Sequence, residues 1–145
     1  MTLTIASIRT KFLTVFLLAL TLCAIAAAQA KPERLAQTSA ESWLALTDSG
    51  KYADSWDEAA QAFKSAVTKD QWQSALHTVR DPLGKLVSRK LTSATYTKSL
   101  PGAPDGEYVV IQYGTSFEHR QGAIETITPM LDKDGKWRVS GYYIK

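Results

Sequence analysis

The first half of the chain carries apolar residues three and four positions apart, the spacing of an amphipathic helix. Residues 36–44 follow this spacing, and Gly50 stands where a helix commonly ends. The same period returns from Trp56 to Val67, with acidic residues near its start, where the helix dipole favours them. Two helices are therefore predicted before residue 68.

A third helix is predicted from a capping motif. Thr68 is followed three residues later by Gln71, so that the hydroxyl and the amide can satisfy exposed backbone amides. Trp72, Leu76 and other apolar residues then line one face. The helix should end near Asp81-Pro82, because the residue before a proline avoids the helical region.

Beyond Leu86 the apolar period changes to two, which is typical of β-strands. The segments between the predicted strands are short and rich in turn residues, so the strands should form an antiparallel meander. The sequence thus predicts an α+β domain with three N-terminal helices packed on one face of a four-stranded sheet. The strands are expected at Arg89–Lys98, Glu107–Phe117, Ala123–Leu131 and Lys136–Ile144.

Strict alternation divides the last strand into two faces. On this basis the core face carries Trp137, Val139, Gly141 and Tyr143. The opposite face carries Arg138, Ser140, Tyr142 and Ile144.

The N-terminal segment has the organisation of a secretory signal peptide. Arg9 and Lys11 precede an uncharged apolar run from Phe12 to Ala28, and Ala28-Gln29-Ala30 provides a small-x-small cleavage site. Cleavage is expected after Ala30, with Ala28 as the alternative. The chain then divides into a signal peptide (1–30), a short flexible N-terminus (31–35) and one domain (36–145), located in the periplasm or secreted.

Two other readings of this segment stay open. An apolar run of this length is at the lower limit for an uncleaved membrane anchor. A lipoprotein would use Cys23, although the large Leu22 directly before it does not suit a lipobox.

The composition of the mature chain limits its partners. Removing 30 of the 145 residues leaves 115, with 15 basic against 14 acidic side chains and a formal charge of +1. No basic block of the kind used by nucleic-acid-binding proteins is present, so nucleic acid is not an expected partner. Cleavage also removes the only cysteine, and the fold has to rely on its apolar core. No stable membrane span remains after cleavage.

Catalytic and metal-binding patterns are weak. His77 and His119 are far apart in the sequence, and no cysteine or carboxylate cluster accompanies them, so no metal site or cofactor is predicted. No nucleophile motif is present. Asp54, Asp57 and Glu58 could bring acids together on one side of the second helix, but an N-terminal acidic turn with a solvated face is the favoured explanation.

Aromatic residues on the strands suggest a binding surface instead. A tyrosine-rich sheet face with an arginine can bind a protein or a small ligand. The loop 101–106, with two prolines, reads as a rigid turn or a partner-contact loop. The candidate ligand or partner surface comprises Tyr96, Tyr108, Arg138, Tyr142, Pro101 and Asp105.

Several separated motifs resemble a secreted bacterial family called domain of unknown function 4019. The likeness covers residues 36–145 and implies no reaction, cofactor or catalytic residue. The order of helices and sheet is also similar, more loosely, to the cystatin-like or nuclear-transport-factor-like cone, in which a bent sheet wraps a helix. The motifs are Tyr52-Ala53-Asp54-Ser55-Trp56, Trp72, Arg80-Asp81-Pro82-Leu83-Gly84, residues 100–108, Glu125-Thr126 and residues 135–142.

These observations favour an exported, non-catalytic binding module for an unknown protein or small ligand. The first alternative is a small cone-fold hydrolase or proton-transfer enzyme that uses a pocket acid and a tyrosine, with Asp54, Asp57 and Tyr142 as candidates. The second is a structural envelope protein. A homodimer through the sheet face is a further expectation.

Overall fold

The computed structural model describes residues 31–145, and the predicted signal peptide lies outside them. A helical half precedes a four-stranded sheet, so the α+β class is confirmed. The helices are α1 (Pro32–Asp48), α2 (Tyr52–Asp57), α3 (Gln61–Ala66) and α4 (Lys69–Arg80), followed by a 3-10 turn (Asp81–Leu83). The strands are β1 (Leu86–Thr97), β2 (Tyr108–Phe117), β3 (Arg120–Leu131) and β4 (Trp137–Ile144).

Helix α1 begins earlier than its apolar period indicated. Pro32 occupies the first turn, where its fixed φ suits a helix and its missing N–H is not needed. Residues 32–35, assigned from sequence to a flexible N-terminus, are therefore helical. The buried positions Ala36, Ala40, Trp43 and Leu44 match the predicted face.

The structure divides the second predicted helix in two. Helix α2 ends at Asp57 and α3 begins at Gln61, with Ala60 in an extended conformation between them. Ala59 and Ala60 are completely buried, and the Ala60 amide donates to the Val139 carbonyl oxygen of β4 at 2.8 Å. Two small residues let the backbone approach the sheet edge, and this tertiary bond replaces a turn of helix.

The capping motif of α4 is confirmed. The Thr68 hydroxyl accepts from the Gln71 amide at 3.3 Å, and the Gln71 side chain accepts from the Thr68 amide at 3.0 Å. The helix ends at Arg80, immediately before Asp81-Pro82 as predicted.

The sheet is an antiparallel meander in the order β1-β2-β3-β4, and the helices pack on one face of it. We call this the helix-facing side, and the other the outer side. Strand β1 contains two extra residues, Val87 and Thr92, where its register against β2 shifts. The core between the layers consists of Ala36, Ala40, Trp43, Leu44, Tyr52, Trp72, Leu76, Val109, Ile111, Tyr113, Ile127 and Val139.

The predicted faces of β4 are wrong beyond Val139. Val139 pairs with Pro129, but Gly141 pairs with Thr128, so Ser140 is an extra residue that inverts the alternation. Directly opposite residues share a face, and Tyr142 lies opposite the buried Ile127. Its ring is 5.4 Å from that of Trp43 in α1, whereas Tyr143 is 56% exposed on the outer side.

Two neighbouring tyrosines provide a test of this register. We expect Tyr142→Ala to lower the free energy of unfolding by about 3 kcal/mol, because it empties a site in the core. Tyr143→Ala should change it by less than about 0.5 kcal/mol, because that ring is exposed. Urea titrations of both variants measure the difference, and equal losses would contradict the bulge at Ser140.

Candidate functional site

The structure does not bring the sequence-predicted surface residues together. Tyr96 lies on the helix-facing side and donates to Glu107 at 3.1 Å. Tyr108 is only 2% exposed, and its hydroxyl donates to the Pro104 carbonyl oxygen at 2.7 Å. Both hydroxyls therefore stabilise the structure around the β1–β2 connection.

The other four predicted residues lie in three separate places. Arg138 is held at the β3–β4 turn by Asp134 at 2.8 Å and Asp132 at 2.9 Å. Tyr142 faces the helices. Pro101 and Asp105 are exposed in the β1–β2 loop. No single patch unites these residues.

A network of charged side chains is buried between the helices and the sheet. Its centre is Glu125 of β3, which has no exposed surface. Arg89 of β1 donates to both of its carboxylate oxygens, at 2.6 and 3.1 Å. Tyr142 donates to one oxygen at 2.5 Å and Thr115 to the other at 2.7 Å. The carboxylate is thus surrounded by donors from three strands.

The network continues into the helices through Asp48 at the end of α1. Arg89 donates to both Asp48 oxygens, at 2.7 and 2.9 Å, and Arg80 of α4 donates to one of them at 2.7 Å. The Arg80 guanidinium lies over the Phe117 ring, 4.4 Å from its centroid, a cation–π contact. Two acids and two arginines neutralise each other in this network.

The protonation states of Glu125 and Tyr142 are unsuited to proton transfer. Burial raises the pKa of the Glu125 carboxyl, but the hydrogen bonds from Arg89, Tyr142 and Thr115 outweigh it, and the net pKa is lowered. Burial and the adjacent Glu125 charge raise the pKa of Tyr142 well above its ordinary value. At neutral pH one group stays ionised and the other stays protonated, so the pair acts as a fixed hydrogen bond.

Sequence reasoning missed this network as a unit. Glu125 alternates with Ala123 and Ile127, both core positions, so a charged residue stood where an apolar one was expected. Because a buried carboxylate requires a cationic partner, an acid at a predicted core position was the signal from which a buried ion pair could have been inferred. The identity of the partner depends on strand register, which the sequence did not provide.

The residues proposed for an enzyme are not assembled. Asp54 and Asp57 are exposed, and Asp57 forms an ion pair with Lys69 at 2.6 Å. Tyr142 is bonded to Glu125 instead. Nothing in this arrangement places an acid and a tyrosine around a shared cavity.

The two histidines are also apart. His77 contacts Asp81 at 2.8 Å near the end of α4, and Asp81 also accepts from Tyr52 at 2.8 Å. His119 is exposed in the turn between β2 and β3. Within residues 31–145, no three potential ligands among His, Cys, Asp and Glu are grouped to hold a metal ion.

A groove of about 460 Å³ lies between α1 and the start of β4, and we call it the α1–β4 groove. Trp137 is partly exposed in it, and Trp43 is buried beneath. The Ser39 hydroxyl crosses between its walls and donates to the Trp137 carbonyl oxygen at 2.7 Å. The lining residues are Ser39, Ser42, Trp43, Leu46, Glu58, Lys136, Trp137 and Arg138.

The charged side chains on the groove rim are exposed, unlike those of the buried network. Among residues 31–145, neither Glu58 nor Lys136 forms a side-chain ion pair within 4.0 Å, and both are exposed. Of the sequence-predicted surface residues, Arg138 is the member that lines this groove. The groove therefore offers aromatic surface next to one acid and one base that can meet a ligand.

The fold and the groove define a small α+β domain in which a helical layer covers a meander sheet. Residues 39–142 match the family described as protein of unknown function (DUF4019), and the chain belongs to this family. The predicted family is thereby confirmed, while the likeness to a cone fold stays a prediction. No curated protein and no solved structure matches the chain. In the described part of the chain, no helix is both long and apolar enough to cross a bilayer.

Removing the central arginine should expose how strongly the buried network stabilises the fold. We expect Arg89→Met to lower the free energy of unfolding by about 3–5 kcal/mol, because the buried Glu125 loses its arginine partner and Asp48 keeps only Arg80. The matched control Lys69→Met breaks the exposed pair with Asp57 and should cost less than about 1 kcal/mol. Urea unfolding measures both, and a similar small loss in each would show that the network contributes little.

Proposed function

We propose that this protein is an exported, non-catalytic binding module that holds a small ligand in the α1–β4 groove. The observation that carries the proposal is the groove itself, with a partly exposed indole in its wall and two rim charges that form no ion pair among residues 31–145. Its volume falls within the range of about 300–1,000 Å³ that is usual for ligand sites.

The state of the reactive groups supports binding without catalysis. A general acid or base needs a pKa near the working pH and access to substrate. Glu125 and Tyr142 have pKa values displaced away from neutrality and are enclosed by protein. The groove has a single acid, Glu58, and no titrating partner hydrogen-bonded to it among residues 31–145.

The groove walls are held in place by the fold. Ser39 connects α1 to β4, and Ala60 connects the α2–α3 junction to the same strand. A preformed site loses less conformational entropy when a ligand binds. The geometry is thus suited to recognition by a rigid cleft.

A bulky residue in the groove should block binding. Ser42 is an exposed lining residue of α1, so Ser42→Trp fills the groove without touching the core. Ala45→Trp, at an exposed α1 position outside the groove, is the matched control. We expect immobilised wild-type protein and Ala45→Trp to retain the same compound from the low-molecular-weight fraction of a cell-envelope extract, detected by mass spectrometry.

Ser42→Trp should lose that compound. Equal retention by Ser42→Trp would place the binding site elsewhere and contradict the proposal. Retention of nothing by the wild type would contradict it too, and would favour a structural envelope role.

Export is the second part of the proposal and has its own test. Edman sequencing of the protein recovered from outside the cytoplasm should begin at Lys31, after cleavage behind Ala30. Leu18→Arg places a charge in the apolar run and should leave the full-length chain in the cytoplasm, whereas Leu18→Ile should be processed normally. An intact Met1 terminus on cytoplasmic wild-type protein would overturn this part.

A further inference from the structure

We infer that the ligand of the α1–β4 groove is a neutral oligosaccharide, seated with the flat apolar face of a sugar ring on Trp137. The inference rests on the proposed function and goes further, because it names the ligand class. It follows from three properties of the groove: its aromatic wall, the state of its hydrogen-bonding groups and the balance of its charges.

Trp137 supplies the aromatic surface. It is the partly exposed indole of the groove, while Trp43 is 3% exposed and its N–H already donates to the Ser55 carbonyl oxygen at 2.6 Å. Trp43 therefore supports the wall, and Trp137 is the ring that a ligand can cover. An indole presents a broad π-face that favours flat packing of weakly positive C–H groups.

The polar groups of the groove demand a ligand that both donates and accepts hydrogen bonds. The Ser42 hydroxyl donates to the Thr38 carbonyl oxygen at 3.0 Å and Ser39 donates to the Trp137 carbonyl oxygen, so each hydroxyl has only acceptor capacity left for a ligand. The Glu58 carboxylate is a further acceptor, and the Lys136 ammonium is a donor. A hydrocarbon would bury these groups without partners, which is unfavourable.

The rim charges favour a neutral ligand. Glu58 and Lys136 are opposite in sign but do not pair with each other within 4.0 Å. The Arg138 guanidinium adds no free positive charge, because Asp132 and Asp134 accept from it. Because the two rim charges are equal and opposite, they give no net attraction for a ligand with a net charge, whereas ring hydroxyls can donate to Glu58 and accept from Lys136. A sugar ring carries such hydroxyls around its edge and also has an apolar face.

The test is calorimetric titration of the wild type with maltotriose and with the N-acetylglucosamine trisaccharide, and 1-octanol serves as an apolar probe. We expect saturable one-site binding of at least one trisaccharide. Glu58→Ala, at an exposed site, should weaken it about tenfold, because acceptors for the sugar hydroxyls are lost. Ser42→Trp should abolish it, and Ala45→Trp should leave it unchanged.

Trp137→Ala should also abolish binding, and the exposed positions Glu58 and Ser42 keep the test valid if that variant does not fold. No binding of either trisaccharide at millimolar concentration would overturn the inference, as would binding that Ser42→Trp does not affect. If 1-octanol alone binds and Ser42→Trp removes it, the groove is a ligand site for an apolar molecule. The proposed function then stands and the sugar inference fails.

Discussion

The burial of one carboxylate constrains how the layers of this protein assemble. Glu125 has no exposed surface, and an isolated charge in that position would cost several kcal/mol. Its partners come from distant parts of the chain: Arg89 from β1 and Tyr142 from β4. Asp48 is joined through Arg89, and Arg80 is joined through Asp48. Each bond forms only in the strand register that the structure shows, so a shifted pairing would leave Glu125 buried without Arg89 or Tyr142.

Two irregularities of the sheet lie near members of this network in the sequence and affect which side they face. Arg89 and Ala94 both belong to the helix-facing side, although they are five positions apart, because Thr92 is an extra residue between them. Ser140 does the same in β4, where it turns Tyr142 towards Glu125. Bulges such as these re-aim side chains at the expense of strict alternation. Without the extra residue in β4, the Tyr142 hydroxyl would be on the wrong side of the sheet.

What the sequence could predict is governed by the range of the interactions involved. The Thr68 capping motif and the apolar faces of α1 and α4 depend on neighbours within one or two helical turns, and these predictions were right. The break before Gln61 depends on a bond from Ala60 to β4, and the face of Tyr142 depends on the bulge. A helical or alternating period contains no information about either contact.

In the candidate site, too, features that depend on contacts between distant residues could not be predicted from the sequence. Arg138 could be selected as a charged residue on a short strand, but its position at the groove was not evident without the packing of α1 against β4. Glu58 and Lys136 are ordinary surface residues in the sequence, and only the fold places them at one rim. The tyrosines are more distinctive in the sequence, yet Tyr108 and Tyr142 use their hydroxyls inside the protein.

Helix α1 connects the buried network to the groove. Its C-terminal Asp48 is fixed by two arginines, while Ser39, about two and a half turns earlier, is bonded to β4. A helix held at both points can neither slide nor roll without breaking an ion pair or a hydrogen bond. The groove wall formed by Ser39 and Ser42 is therefore anchored both to the buried network and to β4. The buried charges thus help to fix the position of the exposed helix face that lines the groove.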